Sequence, residues 1–268
     1  MRTYDIDGLD NRDPAHVDRA LHIVERFMRF WHRAEVRGVE RYPEGPALVV
    51  GNHNGGLWTP DTFLVAGAIY RAHGLDAVPY GIGHEVVIDL PLFNQLLIPL
   101  GVLRASHENA HRLFAAGRKV MVYPGGDEDS MRPYRHRNRI VFGGRQGYIR
   151  LALREGVPIV PVVAAGAHSV FVVLDDLKWL ARLIRADKWM RMKVWPAVLS
   201  FPWGVTIGLP PPFVPLPSKI LIEMLAPIRF DRSGPEAADD DAYVAECDER
   251  VRTAMQSALD RLAAERKA

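Results

Sequence analysis

The chain has 268 residues, of which 48% are hydrophobic and 25% charged, with a formal net charge of +2. That composition builds a buried core and is neither that of a disordered chain nor that of a membrane-spanning one. No run of eighteen apolar residues occurs, the charge balance is too small to point to nucleic acid, and the lone cysteine, Cys247, offers neither a disulfide nor a cysteine-built metal site.

The first fourteen residues carry four Asp ahead of any apolar segment, unlike a secretory leader, so a cytoplasmic protein is expected. Over residues 14–36 the apolar positions Val17, Leu21, Val24, Phe27, Met28 and Trp31 recur at three- and four-residue spacings and predict one amphipathic helix, with Arg and His on its other face. Such a helix can pack on its own domain or lie in a bilayer interface, and the pattern leaves both open.

PALVVG, at residues 46–51, is a short apolar run that suits a strand buried on both faces, and it delivers Asn52 and His53 at its carboxyl end. Thr59, Pro60 and Asp61 then read as the N-cap, first position and first-turn acid of a helix running to His73 and closed by Gly74. Further strands are expected at residues 77–82, 101–105, 119–123 and 159–163, and helices at 92–98, 106–116 and 145–154. This βα rhythm predicts an α/β fold, a largely parallel (mixed) central sheet flanked by helices and preceded by the amphipathic helix.

Residues 170–217 break the rhythm. They hold four of the six Trp, a run of Arg and Lys, and several Pro, and are expected to form an irregular or helical insertion. Aromatics mixed with cations suit a membrane interface, though a satellite core is the plainer alternative. A last strand over residues 218–228 and a charged helix over 239–267 complete a single domain. Its parts are the N-terminal helix (1–37), the catalytic core (38–166), the insertion (167–217) and the final strand and helix (218–268).

In open α/β sheets ligands collect beyond the carboxyl ends of the strands. The first such loop, NHNGGLWTPD, brings out a histidine and follows it with a carboxylate. A general base for a hydroxyl has this composition, because a carboxylate on the imidazole fixes its tautomer and raises its basicity. His53 and Asp61 are the catalytic candidates. Asn54, Gly55 and Gly56 fall on the substrate side, where the glycines would let backbone amides approach a developing oxyanion. The second loop follows VMVYPGG with three acids and several Arg, so Gly125, Gly126, Arg132 and Arg135, together with Arg104 at an earlier strand end, are candidates for a phosphate.

The order of these blocks, with VPIVPV at residues 157–162, resembles the lysophospholipid (glycerolipid) acyltransferase family over residues 38–166. The resemblance implies that His53 deprotonates an acceptor hydroxyl while Asp61 orients it. The hydroxyl would attack an acyl thioester on acyl-CoA or acyl carrier protein, with no further cofactor. It implies a lipid acceptor, a peripheral place on the inner face of a membrane, and no nucleic-acid partner. Two departures stand out. The family's four-residue spacing from His would put the acid at Trp58 rather than Asp61, and its Phe-Pro-Glu-Gly-Thr-Arg block reads Tyr-Pro-Gly-Gly-Asp-Glu here.

Two rival readings remain. HENAH, with His107, Glu108 and His111, has the spacing of a zinc hydrolase, although Ser106 also reads as the cap of an ordinary helix. The other is a lipid-binding homologue without catalysis. Serine-hydrolase elbows, phosphate loops and dinucleotide fingerprints are absent from the sequence.

Overall fold

The computed structural model describes residues 3–56, 58–209 and 211–267, so Leu57 of the loop between His53 and Asp61 lies outside it. Its strands are β1 (Glu35–Arg37), β2 (Leu48–Gly51), β3 (Tyr80–Gly83), β4 (Val102–Arg104), β5 (Val120–Val122), β6 (Ile159–Ala165), β7 (Val172–Asp175), β8 (Ala197–Ser200), β9 (Gly204–Ile207) and β10 (Leu221–Met224). The α-helices are α1 (Pro14–Ala20), α2 (Arg26–Trp31), α3 (Pro60–His73), α4 (Glu85–Ile88), α5 (Pro91–Leu97), α6 (His107–Ala115), α7 (Gly126–Ser130), α8 (Gly147–Glu155), α9 (Lys178–Leu183), α10 (Ala186–Trp189), α11 (Pro235–Asp239) and α12 (Asp241–Glu265).

Among the described residues the main sheet has seven strands in the order β1-β10-β6-β2-β5-β3-β4. The five from β6 to β4 are parallel, and β10 and β1 run the opposite way at one edge. The expected mixed, largely parallel sheet is therefore present. Its middle strands β2, β5 and β6 are buried along their whole length, which requires continuous apolar runs because helices cover both faces. Leu48 and Val50 join the layer containing α6, α8 and α12, whereas Val49, one residue out of phase, joins the layer containing α1 and α3. Since β6, β2 and β5 are parallel neighbours, the residues that follow them meet at one edge of the sheet.

Two expectations fail for local reasons. The N-terminal helix is not one helix over residues 14–36: a π turn at Leu21–Glu25 separates α1 from α2, and residues 35–37 become the edge strand β1. The wider turn carries Glu25 inward to pair with Arg71 at 2.8 Å. The insertion is not merely irregular or helical either. Besides α9 and α10 it holds a three-stranded antiparallel sheet, β7-β8-β9. Its strands read VVLD, AVLS and GVTI, β-branched runs that the surrounding Trp, Pro and Arg obscure.

Candidate active site

Just past β2, Asn52 continues the sheet with its side chain. Its amide nitrogen donates to the Ala164 carbonyl at 3.0 Å and its oxygen accepts from the Ala164 N–H at 2.9 Å. This two-point contact fixes where the chain leaves the sheet, one residue before His53.

The peptide groups of His53 are held by a buried ion pair. Its N–H donates to Asp129 Oδ2 at 2.6 Å, and its carbonyl accepts from Arg132 Nη1 at 2.7 Å. Arg132 and Asp129 pair at 2.8 Å and are 2% and 0% exposed. The remaining Arg132 donors go to the carbonyls of Asp129, His136 and Arg137 and to Asn54 Oδ1. A guanidinium so committed satisfies the need of a buried charge for partners on every side. It stands inside the protein and does not face a ligand, which corrects the expectation for Arg132.

The imidazole is half-buried and lies on the Tyr123 ring, centroids 4.7 Å apart and planes inclined by 31°. The Tyr123 hydroxyl is hydrogen-bonded to Thr62 Oγ1 at 2.6 Å, which ties the strand β5 side to the start of α3. Nδ1 of His53 is buried and has no hydrogen-bond partner. The expected His53–Asp61 contact is not formed. Asp61 Oδ2 accepts from Asn54 Nδ2 at 2.9 Å and Oδ1 from the Thr62 N–H at 3.2 Å. Asn54 stands between the two, its oxygen on Arg132 and its nitrogen on Asp61. With three residues more than the family spacing, the carboxylate meets the asparagine after His53 rather than the ring.

Burial sets the electrostatics. It lowers the His53 imidazole from 6.5 to about 4, with the Arg132 charge acting the same way, so the ring is neutral and able to accept a proton. Burial raises Asp61 from 3.8 to about 7 against the hydrogen bond from Asn54, and Asp129 to about 6 against the Arg132 charge. His168, whose Nε2 contacts the Arg132 carbonyl at 2.8 Å, is held well below its ordinary value by burial.

The glycines serve packing. Gly56 adopts φ +60° with its N–H donating to the Ser130 carbonyl at 3.3 Å, so that amide is not available to an oxyanion; a Cβ there would lie 2.7 Å from the Phe171 ring. Gly55, also left-handed at φ +73°, closes a turn onto the Trp58 N–H. At Gly125 a Cβ would meet Asp129 Cβ at 2.3 Å, so this glycine lets Asp129 reach His53. The carbonyl of Gly125 accepts from Arg145, whose guanidinium fills the space beside Gly126. Arg104 is occupied at a distant strand edge by a two-point pair with Asp7, at 2.7 and 2.9 Å. Arg135 is exposed, with its Nε donating to His136 Nε2 at 3.3 Å and a loose contact to Asp175 at 3.7 Å, and of the three expected arginines it is the least committed.

HENAH forms the body of α6 as an ordinary capped helix: Ser106 Oγ accepts from the Asn109 N–H at 3.1 Å. His111 pairs with Glu155 at 2.9 Å, and no group of three or more His, Cys, Asp or Glu among the described residues is placed to hold a metal. The zinc reading therefore lacks the third ligand it needs.

Tyr123, Asp129, Arg145 and His168 border the loop of His53 and are not among the candidates that the sequence offers, and Asn52 is placed at the strand end there without a role. The three acids after the Pro-Gly-Gly turn were the one visible signal for Asp129.

The sequence profile of the family described as Acyltransferase matches residues 33–165. An uncharacterized protein of Mycobacterium tuberculosis is 34% identical over 98% of this chain and 71% of its own length. The DGAT1/2-independent enzyme synthesizing storage lipids of Mus musculus is 27% identical over 58% of this chain and 46% of its own. The crystal structure of the 1-acyl-sn-glycerophosphate (LPA) acyltransferase PlsC from Thermotoga maritima matches with a TM-score of 0.54 at 17% identity, covering 92% of this chain and 81% of that one, which is a likeness of fold. Profile and fold agree with the order of blocks around His53, and the chain belongs to the Acyltransferase family.

Proposed function

We propose that the protein moves a fatty acyl group from an acyl thioester, on coenzyme A or acyl carrier protein, to a hydroxyl of a lysophospholipid or related glycerolipid. His53 is the general base. The observation that carries this reading is a neutral imidazole at the carboxyl end of the central strand β2, its peptide groups clamped by Asp129 and Arg132. A fixed ring position is what proton transfer in the transition state requires.

The acceptor hydroxyl gives its proton to His53 as its oxygen attacks the thioester carbon. The tetrahedral intermediate expels the thiolate, which takes the proton from the imidazolium. Asp61 supports the loop through Asn54, and its ionisation adds a negative charge to the network that borders the ring, which favours the imidazolium. Arg135 suits an anionic headgroup because its guanidinium is exposed and weakly paired. The acceptor being a lipid, the reaction belongs at the cytoplasmic surface of a membrane, to which the protein binds peripherally; no helix among the described residues is long and apolar enough to cross one.

Mass-detected transfer from acyl-CoA and from acyl carrier protein to a panel of lyso- and diacyl-lipids tests this. Transfer is expected, and His53→Ala should lower its rate at least about a hundredfold, the usual cost of removing a general base. A folded His53→Ala protein of undiminished rate removes the general-base role, and binding of lipid without transfer by the native chain favours a non-catalytic homologue.

A further inference from the structure

The small sheet of the insertion is apolar on its outward face, while its inward face mixes Val173 and Val198 with Ser200 and Thr206. Val173 and Val198 point into the core. On the other face Leu199 lies opposite Val205 and Ile207 opposite Ala197, and Val205 and Ile207 are each 63% exposed. An antiparallel sheet with one solvated face ordinarily alternates apolar in and polar out. Here the outward positions are apolar, and exposed apolar patches of this kind mark interaction surfaces.

The patch extends to both sides. The Trp203 indole donates to the Pro212 carbonyl at 2.8 Å, the Val214 N–H to the Phe201 carbonyl at 2.9 Å, and the Trp31 indole to the Pro215 carbonyl at 2.9 Å. These bonds join the β8–β9 hairpin to α2, where Phe27 stacks on Trp31 and Phe30 is 82% exposed. On the far side Trp195 packs on Gly208 and on Trp189, and Trp179 and Leu183 of α9 are exposed.

Charge identifies the occupant. Residues 178–193 hold six Lys and Arg against one acid, Asp187. Lys178 and Lys193 pair with Glu128 and Arg191 approaches Glu85, which leaves Arg182, Arg185 and Lys188 without an acidic partner among the described residues. A second copy docked here about a two-fold axis would set this cationic cluster against itself. An anionic bilayer instead accepts apolar side chains below its headgroups, Trp at their depth and Lys or Arg on their phosphates.

We infer that the outer face of β8–β9, with α9 and α10 on one side and α2 on the other, is the surface by which the protein docks in the plane of an anionic lipid bilayer. The surface starts at the site: Phe171, one residue before β7, packs against Gly56, and Val170 packs against Gly55. Docking would bring the loop of His53 to the headgroups, a consequence that rests on the acyl-transfer reading, while the docking itself does not.

Sedimentation of the full chain with vesicles of phosphatidylcholine, alone or mixed with phosphatidylglycerol, tests the inference alongside tryptophan emission. Binding to the anionic vesicles is expected, weakened by salt, with the emission shifted to the blue. The pair Val205→Glu and Ile207→Glu should weaken binding at least about tenfold. The pair Arg182→Glu on α9 and Arg185→Glu in the turn before α10, both exposed positions that the core does not use, should do so only on anionic vesicles. Both double variants should transfer acyl groups to a short-chain acceptor dispersed as monomers at the native rate. The docking surface is overturned if both pairs bind vesicles like the native chain, if the native chain ignores both vesicles, or if Ile207→Glu only splits a dimer. Loss of vesicle binding with transfer intact in the native chain refutes the surface alone, and vesicle binding without transfer refutes the acyltransferase reading alone.

Discussion

His53 is held between two carboxylates that differ in what they do. On one side Asp129 grips the His53 N–H and is itself gripped by Arg132, so that a complete ion pair, sealed from water, fixes the main chain. On the other side Asp61 touches only amides, those of Asn54 and Thr62, and no part of His53. Burial lifts both acids, but the neighbouring cation limits Asp129 to about 6 while Asp61 reaches about 7. The ionic flank thus supplies geometry, and the amide-bound flank supplies a proton that comes and goes near neutral pH.

Breaking the ionic flank has the largest expected effect. Arg132→Ala would leave Asp129 buried and alone and would take the donor from four carbonyls and from Asn54 Oδ1, a loss of roughly 3–5 kcal/mol, measured by urea unfolding at pH 7. Arg132→Lys should recover only part of it, because a compact ammonium cannot reproduce the spread of a guanidinium over His53, Asn54 and the carbonyls of His136 and Arg137. Native-like unfolding of Arg132→Ala would mean that the ion pair does not hold the loop.

The amide-bound flank responds in the opposite direction. Folding raises the Asp61 carboxyl from 3.8 to about 7, so the folded protein holds that proton more tightly than the unfolded chain does. The stability this proton brings is complete below about pH 4 and is lost as pH rises through 7. Asp61→Asn cannot ionise. It should therefore melt a few degrees above the native protein at pH 8, roughly 5 °C, and show no gain at pH 4. The native kcat/KM should climb through about pH 7 as Asp61 ionises beside an already neutral His53, and the Asn variant should be slower without that climb. A native rate that is flat between pH 6 and 8 would remove Asp61 from the titration.

This contrast was half legible in the sequence. A six-residue apolar run ending in Gly51 is enough to place His53 at a strand end, and Thr59, Pro60 and Gly74 are enough to bound α3 and put Asp61 in its first turn. Nothing in a linear pattern tells which side chain a loop will fold against Asp61, and Asn54, one residue past His53, intervenes. Arg132 sits in a run of basic residues that reads as solvated, and only the path of the chain through α7 reveals that its guanidinium is buried. The insertion's sheet was hidden for the reverse reason: its outward residues are apolar and its inward ones mix apolar with polar, so the alternation that announces a half-buried strand is missing. The π turn in the N-terminal helix escaped because one extra residue leaves the apolar spacing nearly intact.

The smallest effect separates a ring from its hydroxyl. Tyr123 contributes to both flanks, with its ring under His53 and its hydroxyl on Thr62, the residue after Asp61. Tyr123→Phe keeps the ring and removes the bond to Thr62 and the long contact to Met121 Sδ, so a stability loss of about 1 kcal/mol is expected, with kcat lower by less than about tenfold and KM unchanged. Tyr123→Leu removes the ring as well and should lower kcat further, because the imidazole then has no surface to lie on and its unpaired Nδ1 can turn. If the Phe and Leu variants are equally impaired, the hydroxyl bridge to Thr62 rather than the stacked ring orients His53, and the two flanks are coupled through Tyr123 instead of acting separately.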